Sequence, residues 1–263
     1  MNLRSPLVPA LALTTAFASA QLISDSASSA FINAADGSVQ SWEIDGTNQA
    51  FYGSWLFRTS PTAIASSLSG LTLASSTVGG NTATYTYVSS GAFEIKLSFL
   101  LTDVGANSSG LAENISVKNL GTAPLAFELF KYDDFDLNAS AGGDTLTRDS
   151  ASGFSQVSEG SIARVDHSLA RRPDRTQIGN FPSPIGEITG IAGYNLNTPA
   201  GSGIGETVTG DVSYASQWSF SLAGGASRAI GSTKTLEVVP EPASMAVLGL
   251  GLAALKRRRR SSK

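Results

Sequence analysis

Val212-Ser-Tyr-Ala-Ser-Gln-Trp-Ser-Phe-Ser-Leu222 is the stretch that decides the fold class. Val212, Tyr214, Trp218, Phe220 and Leu222 fall on one face of an extended chain, and Ser213, Gln217, Ser219 and Ser221 on the other. Side chains of a strand alternate between faces, so this period of two predicts a strand with one side in a core and the other in water.

The same period recurs outward from it. Phe93, Ile95, Leu97, Phe99 and Leu101 alternate with Glu94, Lys96 and Ser98. Leu125, Phe127 and Leu129 stand opposite Glu128, and Ala83, Tyr85 and Tyr87 alternate with threonines. Turn residues separate these runs at hairpin positions: Gly79-Gly80-Asn81, Ser90-Gly91, Asn119-Leu-Gly121 and Gly224-Gly225. One-sided amphipathicity calls for antiparallel sheets stacked on each other. The expected fold is all-β, an antiparallel β-sandwich of roughly ten to twelve strands over residues 21–239, treated as one unit. Residues 168–206 are the least regular stretch, rich in Pro, Gly and Asn. They predict long loops with one short helix, in which Ile185, Ile188, Ile191 and Tyr194 can still pack.

Composition narrows the function classes. The chain of 263 residues holds no cysteine, which excludes disulfides, thiolate metal sites and a cysteine nucleophile. Between residues 21 and 239 eleven basic residues face twenty acidic ones, a net charge of −9. Such a surface disfavours nucleic acid, which is bound through its phosphates by clustered Lys and Arg. Most of the remaining basic residues crowd into the last eight positions.

The two ends are addresses. Arg4 precedes an uncharged stretch from Leu7 to Phe17, and Ala18-Ser19-Ala20 supplies the small-x-small pattern that signal peptidase accepts. Residues 1–20 are therefore expected to form a signal peptide with an N-terminal helix, cleaved to leave Gln21 first. At the other end Pro240-Glu241-Pro242 is followed by thirteen uncharged residues, 243–255, and then by Lys256, Arg257, Arg258, Arg259 and Arg260. As a helix those thirteen residues would span about 20 Å, short of the roughly 30 Å hydrocarbon core. The basic cluster can lengthen the span by snorkelling to the cytoplasmic headgroups, and it fixes the topology with the bulk of the chain outside. The prolines keep the preceding stretch extended and poor in amide donors, as a processing enzyme needs.

Residues 240–263, with the Pro-Glu-Pro stretch, a short transmembrane helix and a basic cluster in that order, resemble the PEP-CTERM sorting tail of Gram-negative bacteria. The resemblance implies processing by an exosortase, a membrane-embedded cysteine transpeptidase, in a setting of exopolysaccharide production. Residues 114–137 and the stretch 210–222 also look like a strand pair of PEP-CTERM ectodomains.

Candidate chemistry in the middle of the chain is sparse. Tyr132-Asp-Asp-Phe-Asp-Leu-Asn138 places Asp134, Asp136 and Asn138 on alternate positions. A helix-loop-helix calcium loop wants Gly sixth and Glu twelfth, and those places hold Ala139 and Thr145. The run therefore reads as a solvated strand end, with a non-standard calcium site shared with Asp144 or Asp149 as the alternative. His167, the sole histidine, sits between Asp166 and Ser168, but neighbours on a strand point apart and do not build a serine triad. Arg171-Arg172-Pro-Asp-Arg175 reads as a loop paired with its own acids, Asp166 and Asp174. Trp55 is the one candidate for an exposed sugar-stacking platform.

These residues predict an exported protein, held at the inner membrane through 243–255 and then displayed at the cell surface or released, with signal peptidase, exosortase and exopolysaccharide as partners. The ectodomain is expected to be non-catalytic, with no catalytic residue, metal ligand or cofactor. The alternatives are a carbohydrate-binding module and a secreted carbohydrate-active enzyme working through two carboxylates.

Overall fold

The alternating stretches all become strands, because an apolar residue at every second position can be buried only by pairing the chain into a sheet and covering one face. A computed structural model describes residues 20–239 except 51, 106, 149–154, 161–162 and 200. The expected signal helix and the whole tail from 240 onward lie outside the described residues. Among those described, no helix is long and apolar enough to cross a membrane.

In chain order the strands are β1 (Ala20–Asp25), β2 (Ser28–Asn33), β3 (Ser38–Ile44), β4 (Thr47–Asn48), β5 (Tyr52–Arg58), β6 (Ser66–Ser67), β7 (Thr72–Gly79), β8 (Thr82–Ser89), β9 (Phe93–Gly105), β10 (Ser108–Asn119), β11 (Leu125–Asp134), β12 (Asp144–Arg148), β13 (Ser155–Glu159), β14 (Ala163–Leu169), β15 (Arg175–Asn180), β16 (Thr198–Pro199), β17 (Thr207–Gly210), β18 (Val212–Leu222) and β19 (Ser227–Val238). Among the described residues one α-helix, α1 (Ile185–Gly190), lies between β15 and β16. The first sheet runs β1-β2-β3-β5-β11-β18-β15-β16, with β4 on β3 and β6 on β5. The second runs β17-β12-β13-β14-β19-β10-β9-β8-β7. Pairing is antiparallel throughout, and the two sheets face each other across a shared core. The expected β-sandwich is present, and it holds more strands than the sequence separates, because several are only two to four residues long.

The long central strands obey the alternation. Phe93, Ile95, Leu97, Phe99 and Leu101 of β9 are buried, as are Ala83, Tyr85 and Tyr87 of β8. The expected turns at Gly80, Gly91, Gly121 and Gly225 each connect two consecutive strands. All three tryptophans are buried, with Trp55 and Trp218 in contact at 5.8 Å between ring centroids. Each such ring contributes roughly 5 kcal/mol of gross transfer energy, at about 25 cal/mol per Å² over 200 Å².

Along β18 the alternation breaks. From Val212 to Trp218 every residue is buried, and only from Ser219 onward does one face meet water. The cause is the segment 181–199, which folds over the outer face of the first sheet. Ile188 and Leu196 pack there against Leu56, Phe130, Tyr132 and Ala215. Polar bonds fasten the cover: Gln217 Nε2 donates to Asn195 Oδ1 at 2.7 Å, the Leu196 amide donates to Gln217 Oε1 at 2.9 Å, and Tyr194 Oη donates to Gln177 Oε1 at 2.7 Å. The expected short helix is present. Of the four residues expected to pack there, Ile188 is buried, Ile185 and Tyr194 are half-buried, and Ile191 remains 50% exposed.

Candidate functional site

Two groups of carboxylates sit back to back at the end of β11, and the period of two explains both. Lys131 and Asp133 continue the inward face of Phe127 and Leu129, whereas Tyr132 and Asp134 point to the outer face.

The inward group lies between the sheets. Lys131 Nζ is 3.0 Å from Glu113 Oε2 and 3.0 Å from Asp133 Oδ1. Lys234 Nζ is 2.6 Å from Glu113 Oε1 and 2.6 Å from Asp133 Oδ1. All four residues are buried. Two cations and two anions make the group neutral, the condition under which charges are tolerated in a core. Trp55 Nε1 donates to Glu113 Oε2 at 2.9 Å, and Lys131 lies 5.6 Å from the Trp55 ring centre. Burial alone would push the Glu113 carboxyl up, but Lys131 and Lys234 hold it at about 2. Gly53, paired with Asp133 across β5 and β11, makes the space: a Cβ there would lie 2.8 Å from Asp133 Oδ1. His167 borders the group, with Nε2 at 2.6 Å from Ser232 Oγ and 3.1 Å from Tyr214 Oη. Burial pushes its imidazole down to about 3, so it is neutral. Ser168, on the opposite face, is exposed, and no serine triad forms. This buried, charge-balanced cluster is structural.

The outward group is different in kind. β11 pairs with β18 so that Asp134 stands opposite Ser213. Continuing that register by two places sets Asp136 opposite Asp211, and the Phe135 amide still donates to the Val212 carbonyl at 3.4 Å. One oxygen from each of Asp134, Asp136 and Asp211 lies within 4.8 Å of the others. These three residues, with Ala141 and Phe181, line a cleft of about 130 Å³. Asp134 is buried; Tyr132 Oη donates to its Oδ2 at 3.1 Å, and its Oδ1 has no partner. Burial, reinforced by Asp211, Asp136 and Asp133, pushes its carboxyl up to about 7 against the lowering by Tyr132. Asp144, fully buried nearby, accepts the Leu137 amide on Oδ2 and is also pushed up to about 7, first by burial and then by Glu159, Asp136 and Asp211. Among the described residues no ion pair involves Asp134, Asp136 or Asp211.

Three expectations are corrected here. The acidic run is not a solvated strand end: Asp133 is buried between the two sheets against Lys234 of the second, and Asp134 is buried on the outer face. Trp55 is no exposed platform: it is fully buried between the sheets, on the face that holds the charged quartet. Asp174 does not pair with its neighbouring arginines; its Oδ2 accepts the Ser219 amide at 2.7 Å, and Arg175 donates to the Leu196 carbonyl. Asp211 was the partner hidden from a reading of residues 132–138, since only the β11–β18 register brings it near. Of the address residues, Ala20 opens β1, while Ala18, Pro240, Glu241, Pro242 and the cluster Lys256, Arg257, Arg258, Arg259 and Arg260 lie outside the described residues.

Solved structures share this fold at low identity. A bacterial glucoamylase complexed with acarbose aligns with a TM-score of 0.58 and 9% identity over 90% of this chain, which spans 36% of that protein. A putative aldose 1-epimerase from Escherichia coli K12 aligns at 0.57 and 10% identity, covering 84% of this chain and 99% of that one. A GalM/aldose epimerase homologue from C. elegans aligns at 0.58 and 8% identity, covering 85% and 100%. The likeness is one of fold alone. It nevertheless overturns the expectation of a non-catalytic domain, since proteins titled as enzymes are built on this sandwich. No curated protein sequence matches the chain. Residues 238–260 do match a family model, that of the PEP-CTERM protein-sorting motif, beginning at Val238, the residue that closes β19. The chain thus carries a PEP-CTERM sorting motif: it is an exported protein whose processing partner is an exosortase.

Proposed function

We propose that the chain is a secreted precursor whose sandwich is displayed outside the inner membrane, cut near Pro240-Glu241-Pro242, and delivered to the cell surface or medium of a Gram-negative-type bacterium, where it engages exopolysaccharide. The observation that carries this reading is the junction at Val238. The last strand of the second sheet ends where the sorting motif begins, so cutting beyond Val239 removes none of the described strands. Residues 1–20 act as the signal peptide, and Ala18 and Ala20 are the small residues read by signal peptidase. The segment 243–255 is the transient membrane helix, and the basic cluster 256–260 stays inside. Residues 21–239 are the delivered domain. The carbohydrate part of the reading draws on the fold shared with a glucoamylase and a putative aldose 1-epimerase, and on a net charge of −9 over residues 21–239, opposite in sign to that of a nucleic-acid binder.

Mass spectrometry of the mature protein from its host tests the processing. Gln21 is expected at the N-terminus, and no peptide from 257–263 on the released form. An intact arginine tail on released protein would overturn it. Incubating the mature protein with the host's own exopolysaccharide tests the second half, with retention on the polymer and change in polymer length both measured. Neither retention nor shortening would sink the carbohydrate reading and leave the sorting one standing.

A further inference from the structure

We propose that Asp134, Asp136 and Asp211 form a binding site for a divalent cation of the calcium type at the end of the β11–β18 ladder. Three oxygen donors mutually within 4.8 Å fit around one ion, since calcium takes its ligands at about 2.3–2.6 Å and oxygens on opposite sides of it stand about 5 Å apart. The donors are all carboxylate oxygens, which suits a hard cation and not zinc or copper. The second observation is Asp134 itself. It is 1% exposed, lines the cleft, and its Oδ1 meets no donor. A dry carboxylate oxygen without a partner is costly, and a bound cation supplies what the protein does not.

The contrast with the other side of the same strand strengthens the assignment. Asp133, one residue earlier and equally buried, is met by two lysines. Asp134, Asp136 and Asp211 are met by no cationic side chain among the described residues. The cleft is open past Ala141 and the half-exposed Phe181, which leaves room for water to complete six to eight ligands. The site is unlike a helix-loop-helix calcium loop: two ligands come from the end of β11 and just beyond it, and the third from the residue that precedes β18, 77 positions after Asp134, where the β11–β18 ladder ends. It stands independently of any carbohydrate reading.

The test uses the full-length chain freed of metal with a chelator and titrated calorimetrically with calcium chloride or magnesium chloride alone. One calcium per chain is expected, with magnesium at least tenfold weaker because the open cleft does not impose a tight octahedron. At a hundredfold excess over Kd the melting midpoint should rise by roughly 5–10 °C. Asp211→Asn should weaken calcium binding at least tenfold, and circular dichroism of the metal-free variant checks its fold. If that variant does not fold, Asp136→Asn carries the same expectation. Absence of calcium binding to the folded chain, magnesium binding as tightly as calcium, or unchanged affinity in a folded Asp211→Asn or Asp136→Asn variant would each overturn the proposal.

Discussion

Asp133 and Asp134 are adjacent, similarly buried and chemically identical, yet the protein treats them in opposite ways. Asp133 faces inward, where Lys131 and Lys234 bracket it and Glu113. Asp134 faces outward, where Asp136 two residues on and Asp211 from across the ladder stand within 4.8 Å. The difference teaches how a single strand separates two jobs. On one face, charges are neutralised in pairs and serve the architecture. On the other, like charges are gathered and left uncompensated, which is how a binding site is built at the expense of stability.

Breaking the inward balance should have the largest effect. Lys234→Met removes one cation and leaves Glu113 and Asp133 sharing Lys131, an uncompensated buried charge that costs about 3–5 kcal/mol. For a domain of this size the melting midpoint should fall by roughly 10 °C or more. A midpoint within two degrees of wild type would show that the quartet is not the balanced core device described here. Next comes Gly53→Ala. Its Cβ would press on Asp133 Oδ1 at 2.8 Å and approach Lys131 Nζ at 3.3 Å, so either the quartet shifts or the strands part. Overpacking of this kind costs about 1–3 kcal/mol, read by urea denaturation.

His167 makes one separable contribution to the pH dependence of stability. Unfolded, its imidazole takes a proton below about 6.5. Folded, it resists until about 3, because burial outweighs the pull of Asp133 and Glu113, and Lys234 and Lys131 add to the resistance. Between those values the unfolded chain binds the extra proton, so this residue's contribution to stability falls as pH is lowered from 6.5 toward 3. Against it work Asp134 and Asp144, which, pushed up to about 7, take up protons in the folded state over part of the same range. The slope contributed by this residue approaches about 1.4 kcal/mol per pH unit. Denaturation at pH 6.5 and at pH 4.5 should therefore show a smaller acid loss for His167→Gln than for wild type. Equal losses would mean that the folded imidazole takes up its proton as readily as the unfolded one.

Much of this was legible in the residues, and the limit of legibility is physical. Period-two alternation marks β8, β9, the first half of β11 and the second half of β18, because there one face meets the core and the other meets water. It loses its signal from Val212 to Trp218, where the segment 181–199 covers the second face and serine, alanine and glutamine are buried too. The quartet could have been found by extending the inward series Phe127, Leu129 to Lys131 and Asp133: a charge on a core face demands a partner. Which partners it has depends on tertiary pairing: Glu113 comes from the preceding strand but in the other sheet, and Lys234 from a strand 101 residues beyond Asp133. Asp211 was invisible for the same reason. The sorting motif, by contrast, is a linear signal read by enzymes along the chain, and its residues need no fold to be recognised.

The smallest expected effect has the opposite sign, and it bears most directly on the contrast between the two faces. In the chelated protein at neutral pH, Asp134→Asn replaces a buried carboxylate that faces Asp136 and Asp211 with an uncharged amide of the same shape. The amide oxygen can still accept from Tyr132 Oη, so the existing bond at 3.1 Å is retained. Removing an unpaired like charge should leave stability unchanged or raise it by about 1 kcal/mol. The matching change one residue earlier, Asp133→Asn, strands part of the positive charge of two buried lysines and should destabilise clearly. Measured side by side in urea, the pair asks whether neighbouring aspartates on one strand carry opposite signs of contribution. If both variants lose stability equally, the outward carboxylates are compensated in a way that the described residues do not contain, and the division of labour across β11 fails.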